Sequence, residues 1–412
     1  MGCVADASSH LSESLVRRQD AIRRRATLSG GLARVFADTL LGQGTLTAVG
    51  VGANEMGNRY RAILVLGALC GSILGSGRSA AGQLPTYPAA KPGDSGYIAE
   101  DPQLARLVGR SGPAITLQLV DGGTIDLTSS YGRKPVYLKL WATYCLPCRA
   151  QMPGFNRIYD AHRDRMQIVS IDVGVGDDAD KVRAFAANAK MRMPVAIDDG
   201  SLVSWLDLEA TPFHVLIGRD GRIAYAGHQD GPQLDAAIAR VLAGAVTNTR
   251  IDTAPVAAVA ALKPGDRVPA IDLRGSNDAP VRFTSGATGR PRALVFTATW
   301  CESYLKDTEP DTVDACRRTR EQVDTLSQAG TIDWLGVVAH LWTTPQSLAA
   351  YETRLKPRVA MAVDSDGRAF RAFGIRRLPA VALIGADGRL VRIVGPDDSD
   401  LAAAVQRLTT PK

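Results

Sequence analysis

The chain has 412 residues, enough for two domains of ordinary size with a remainder. Hydrophobic residues make up 45% and charged residues 22%, which supports a buried core and excludes a chain disordered by composition. The net charge of +6 is unevenly placed: residues 1–81 hold nine Lys and Arg against five Asp and Glu, leaving 39 against 37 for the rest. A body so near neutral, with no Lys/Arg stripe among aromatics, excludes nucleic acid as a general partner.

Residues 1–55 are rich in Ala, Gly, Arg and Ser and sustain no period. Arg23, Arg24 and Arg25 precede a stretch too interrupted to be an apolar segment, so residues 1–55 are expected to be an over-long or disordered extension, with the true start near Met56. Residues 56–81 have the layout of a signal peptide: Arg59 and Arg61, then uncharged Ala62 to Leu74, then small residues to Ala81. That apolar run is short for a bilayer, which takes about 20 residues. The expectation is export to the periplasm, with an uncleaved membrane anchor as the alternative. Leu69 makes a poor lipoprotein site before Cys70.

After a Pro/Gly-containing leader at 82–104, strands and helices alternate. Leu117–Leu127 reads as a hairpin turning at Asp121-Gly122-Gly123, 135–142 as a buried strand, and 145–163 as a helix. A strand at 167–173, a helix at 179–190 and a short strand at 194–198 follow. Beyond Thr211-Pro212 come strands at 215–218 and 223–227 and a helix ending near 242. Residues 244–263 read as a linker. The order then repeats, with strands at 292–300, 334–340, 359–364, 381–385 and 390–394. Pro-x-x-x-Leu-Ile-Gly-x-Asp-Gly-Arg occurs at 212–222 and again at 379–389, seven identities at one constant offset. Both halves are therefore α/β units with a central sheet covered by helices.

Chemistry centres on Trp141-Ala-Thr-Tyr144-Cys145-Leu-Pro-Cys148-Arg. Cys145 falls where a buried strand turns into a helix, and the free N–H groups and dipole there lower a thiol pKa from about 8.5 toward 7. Cys148 lies one turn further on. Cys145 can attack a disulfide as thiolate and Cys148 can resolve the mixed disulfide. A zinc pair needs further N/S ligands, and the five histidines show no paired spacing.

The segment from Trp141 to Pro153, with Pro212 67 residues after Cys145, resembles the thioredoxin-fold family, and more narrowly the exported TlpA/ResA-type thiol–disulfide oxidoreductases. The resemblance implies two tandem thioredoxin-like α/β domains, at 105–243 and 264–409, each a central mixed sheet flanked by helices. It implies a cis Pro212 against the cysteine pair, Thr211 offering its backbone to substrate, and Trp141 and Tyr144 shaping the surface around the nucleophile. It also implies no organic cofactor and no metal, oxidised exported proteins as substrates, and a membrane electron-transfer protein as donor. Two departures stand out: Gln151 where many relatives have Glu, and Lys139 where cytosolic thioredoxins bury an Asp. Either the Lys139 head approaches the pair and favours thiolate, or the residue is a solvated strand end.

In the second half Cys301 takes the nucleophile position and Tyr304 replaces the resolving cysteine. One straight helix would put Cys316 about 22 Å from Cys301. Pro310, however, reads as the first turn of a new helix, leaving 302–307 free to fold back. Cys301 and Cys316 are thus a candidate second pair, redox-active or structural, and a non-catalytic docking or dimerisation domain fits as well. Two alternatives follow: copper handling through Cys301, Cys316 and His340, or peroxide reduction at Cys301. His214 reads as a strand histidine, and the Asp177-Asp178, Asp198-Asp199 and Asp397-Asp398 pairs as loop and capping residues.

Overall fold

The computed structural model describes residues 102–245, 251–257, 259–285, 289–398 and 400–409. The stretches read as extension, signal peptide and leader up to 101 lie outside the described residues, so Cys3 and Cys70 do too.

The first half opens with α1 (Pro102–Leu107), β1 (Pro113–Ala114) and the hairpin of β2 (Thr116–Gln118) and β3 (Thr124–Asp126). Then come β4 (Val136–Trp141), α2 (Leu146–His162), β5 (Gln167–Asp172), α3 (Ala179–Asn188), β6 (Val195–Ile197), α4 (Ser201–Leu206), β7 (Phe213–Ile217), β8 (Ile223–Gly227) and α5 (Pro232–Ala243). Its sheet has the order β6-β5-β4-β7-β8, with β4, β5 and β6 parallel and β7 and β8 antiparallel to their neighbours. Every residue of the central β4 is buried, as expected where helices cover both faces of a sheet. The stretch read as a linker turns back on the first half: β9 (Ala254–Pro255) pairs in parallel with β1.

The second half comprises β10 (Ile271–Arg274), β11 (Pro280–Phe283), β12 (Arg292–Thr297), α6 (Pro310–Leu326), β13 (Asp333–Ala339), α7 (Pro345–Leu355), β14 (Met361–Asp364), α8 (Arg368–Ala372), β15 (Ala380–Ile384), β16 (Leu390–Val394) and α9 (Leu401–Thr409). Its sheet runs β11-β10-β14-β13-β12-β15-β16. The five strands from β14 to β16 repeat the order and orientation of the first sheet. Both closing hairpins shift register at the repeated Leu-Ile, at Leu216/Ile217 and at Leu383/Ile384. Both peptides preceding the repeated prolines, Thr211-Pro212 and Leu378-Pro379, are cis.

Corresponding carboxylates end corresponding strands. Asp198 accepts the backbone N–H groups of Leu202 and Val203 in α4, and Asp364 accepts that of Phe370 in α8. Burial pushes both acids up to about 6. Asp178 caps α3 through the Lys181 N–H, whereas Asp397 and Asp398 pair with Arg377 and Arg392 instead of capping a helix. One continuous apolar cluster runs from the first half into the second and contains Cys145, Cys148, Cys301 and Cys316.

Candidate redox site

The β4–α2 junction places the first pair. Cys145 is the N-cap of α2, in extended backbone, and its sulfur accepts the Cys148 N–H at 3.2 Å. Pro147 in the first turn fits because its missing N–H would have had no helical partner. Cys145 and Cys148 are joined by a disulfide with their Cα atoms 5.2 Å apart. The Cys148 sulfur lies 3.4 Å from Thr211 Oγ1, so the loop before β7 closes over the pair.

Beneath the pair lies a connected polar network. Lys139 is fully buried in the middle of β4 and donates to Gln151 Oε1, while its ammonium also faces the Phe155 ring at 5.6 Å. His214 Nε2 meets the same Gln151 oxygen at 3.1 Å, and its Nδ1 lies 2.7 Å from Tyr137 Oη. Because the shared oxygen can only accept, His214 carries its proton on Nε2 and Tyr137 donates to Nδ1. Gln151 Nε2 donates to His228 O, and His228 Nδ1 donates to Pro212 O at 2.8 Å. Gln151 therefore ties the second turn of α2 to the cis-proline loop. Burial pulls Lys139 down to about 7, partly opposed by Asp230. Burial, with Lys139 next, pulls His214 well down, so it is neutral. The head of Lys139 is thus turned inward and bonded to Gln151, not solvated at a strand end.

Trp141 is fully buried and packs on Phe185 with ring centroids 5.0 Å apart, which places it in the core rather than on the surface around Cys145. Tyr144 is also buried. Its hydroxyl donates to Val175 O, and its ring lies against Gly176, whose φ of +81° and lack of a Cβ permit that approach. Next to it, Thr143 donates its N–H and hydroxyl to the buried Asp177, which also pairs with Lys181 at 2.7 Å. Burial, followed by the charge of Asp177, holds Asp172 protonated well above the usual carboxylate range.

In the second half Cys301 and Cys316 are bonded, with Cα atoms 6.4 Å apart. The helix break at Pro310 makes this reach, since α6 begins there and residues 302–309 fold back. The bond takes both sulfurs, Cys301 is fully buried, and among the described residues no group of three His, Cys, Asp or Glu side chains could hold a metal. Copper held by Cys301, Cys316 and His340, or peroxide chemistry at a free Cys301, thus finds no site in this arrangement.

Residues 108–226 match the AhpC/TSA family profile. The thiol-disulfide oxidoreductase ResA of Bacillus cereus is 27% identical over 150 residues, 35% of this chain and 84% of that protein. The thioredoxin-like protein YneN of Bacillus subtilis is 28% identical over 116 residues, 28% of this chain and 68% of that protein. Among solved structures, the thioredoxin domain of a thiol-disulfide oxidoreductase from Bacteroides vulgatus is 19% identical, with a TM-score of 0.30, covering 33% of this chain and 97% of that one. The family profile falls on the first half. Residues 108–226 thus form a thioredoxin-like domain that matches the AhpC/TSA profile, and they carry the bonded Cys145-x-x-Cys148 pair in a segment similar to named thiol–disulfide oxidoreductases.

Proposed function

We propose that the chain is an exported, periplasmic thiol–disulfide oxidoreductase that reduces disulfides in other exported proteins. The observation that carries this reading is the position of Cys145: the N-cap of α2, with the Cys148 N–H directed at its sulfur. A thiolate there is stabilised by the helix dipole and by that hydrogen bond. In the forward reaction Cys145 Sγ attacks one sulfur of a substrate disulfide. A mixed disulfide forms and the other substrate sulfur leaves as thiolate. Cys148 then attacks Cys145 Sγ, forming the intramolecular disulfide and releasing the second substrate thiolate. Two electrons pass to substrate, and a membrane electron-transfer protein restores the dithiol by the reverse exchange.

Thr211 and Pro212 serve as the shelf beside the pair, and Tyr144 as its aromatic flank. Residues 56–81 serve as the signal, and among the described residues no helix is long and apolar enough to cross a membrane. The second half, 264–409, is read as a divergent copy of the first, because its sheet repeats the strand order and register shift while Tyr304 stands where a resolving cysteine would be.

A Cys148→Ser variant tests the function, since it can form the mixed disulfide and cannot resolve it. Exported proteins should accumulate on Cys145 in extracts of the compartment, as bands lost on reduction. Recovery of none would overturn the reading.

A further inference from the structure

A protein that exchanges disulfides with other proteins needs a reachable nucleophile, yet Cys145 is 2% exposed and Cys148 fully buried. The second half packs on the residues that flank them. Tyr304 Oη accepts the N–H of Leu146, the residue after the nucleophile, at 3.1 Å. Trp300 stacks on Tyr144 at 5.0 Å and Trp342 meets the same ring edge-on at 5.6 Å. Trp342 also reaches the loop before Pro212: its backbone N–H donates to Glu209 O at 2.8 Å and its indole N–H to Thr211 O at 3.4 Å. Glu309 closes the rim through Lys181 at 2.6 Å.

The backbone of Trp342 shows that this contact is built in. Its φ is +55°, a left-handed conformation uncommon for any residue but glycine and costly for a bulky one. The β4–β5 and β12–β13 registers pair Trp141 with Asp172 and Thr297 with Val338, so the first-half counterpart of Trp342 is Gly176, also left-handed at +81°. The second half thus carries tryptophan where the first has glycine, and its left-handed backbone is held by two hydrogen bonds into the first half. The loop bearing Tyr304 and Glu309 is itself tethered at both ends by the Cys301–Cys316 disulfide.

We propose that Trp300, Tyr304, Trp342 and Glu309 form a docking surface whose partner is the dithiol face of the same chain, so that the second half is an internal plug occupying the place of a protein substrate. The proposal rests on Thr211 and Cys145 serving substrate as argued above. Exchange with a large disulfide then requires the halves to part, and the working rate is scaled by the open fraction.

The test uses the full chain in a Cys148→Ser background, which leaves Cys145 as a free thiol. Its alkylation is followed by peptide mass spectrometry with iodoacetamide and with a polyethylene-glycol maleimide. The ratio of the bulky to the small reagent's rate reports access independently of thiol acidity. Trp342→Gly suits the left-handed backbone and removes the plug, so it should raise that ratio at least about tenfold. Tyr304→Phe, which deletes one hydroxyl, should raise it less and decides the matter if Trp342→Gly loses its cooperative thermal transition. A parent chain whose Cys145 already reacts as fast with the bulky reagent as in either variant would overturn the proposal. Insulin reduction, measured with both cysteines restored, should rise in Trp342→Gly. If neither chain reduces insulin while the alkylation ratio still rises, the exchange reading fails and the plug stands.

Discussion

Tyr144 and Trp300 occupy equivalent positions in the two halves, each immediately before a cysteine, and their rings stack on one another at 5.0 Å and 29°. Each is also pinned in the same way within its own half. Tyr144 Oη donates to Val175 O, and Trp300 Nε1 donates to Leu341 O at 2.9 Å, carbonyls at matching places after β5 and β13. The halves therefore meet at corresponding strand–helix junctions, with the aromatic pair between them.

If that pair holds the halves together, removing either ring should cost stability non-additively. Tyr144→Ala and Trp300→Ala each delete a large buried side chain, at about 3–5 kcal/mol. A double-mutant cycle should return a coupling of about 0.5–1.5 kcal/mol from ring geometry alone. Urea unfolding of the four proteins measures it, and a coupling of zero would mean that the rings do not interact in solution.

The Cys301–Cys316 bond closes a loop of 15 residues carrying Tyr304 and Glu309. By loop-closure entropy such a bond contributes about 3 kcal/mol. A Cys301→Ala, Cys316→Ala chain should be less stable by about that amount, while its Cys145–Cys148 pair still cycles between dithiol and disulfide. Loss of cycling in a folded double variant would instead give the second pair a redox role.

The alternation of strands and helices and the Cys-Leu-Pro-Cys segment were legible because both are local patterns. The strands at 223–227 and 390–394 were read with the bounds found in the structure. What escaped was either too short for a period or settled by distant packing. Helices α4 and α8, of six and five residues, give no helical stripe, and the β10–β11 hairpin was not seen at all. Lys139 lies between Leu138 and Leu140, which suggests alternation. Yet β4 is the central strand with both faces covered, so no solvent face exists for it, and the unbroken run from Val136 to Trp141 was the usable signal. No spacing rule could bring Trp342 to Thr211, because that contact depends on a left-handed residue in a loop of the other half.

Lys139 yields a pH prediction. Its folded pKa is about 7, against an ordinary 10.5, and the cause is burial. Between those values the unfolded chain binds a proton that the folded chain does not, so this residue makes stability rise with pH across the window. Below about 7 both states are charged and the full burial penalty applies. Lys139→Met should therefore be more stable than the parent at pH 7. Its advantage should shrink by about 1.4 kcal/mol per pH unit on going toward pH 10. Denaturant midpoints at pH 7, 8.5 and 10 check this, and a constant difference would mean that Lys139 keeps its proton throughout.

The direction of electron flow rests on the reduction potential of Cys145–Cys148. Helix α2 offers Cys145 the Cys148 N–H and its own dipole, which favour thiolate and pull the pair toward the oxidising side. Gln151 adds no charge to this, and the ammonium of Lys139 is bonded to its oxygen, so the helix terminus is the main influence on the pair. A thioredoxin-like value, near or below about −250 mV, is the expected balance and suits a reductase fed by a dedicated donor. Equilibration with glutathione and with dithiothreitol measures it. A value nearer about −120 mV would make the protein an oxidant of its partners and reverse the proposed flow. Lys139→Met should move the potential in the negative direction, because losing a nearby positive charge destabilises thiolate. About 30 mV corresponds to each 1.4 kcal/mol of that loss. An unmoved potential would show that the lysine acts on stability alone and that the helix terminus by itself sets the reactivity of Cys145.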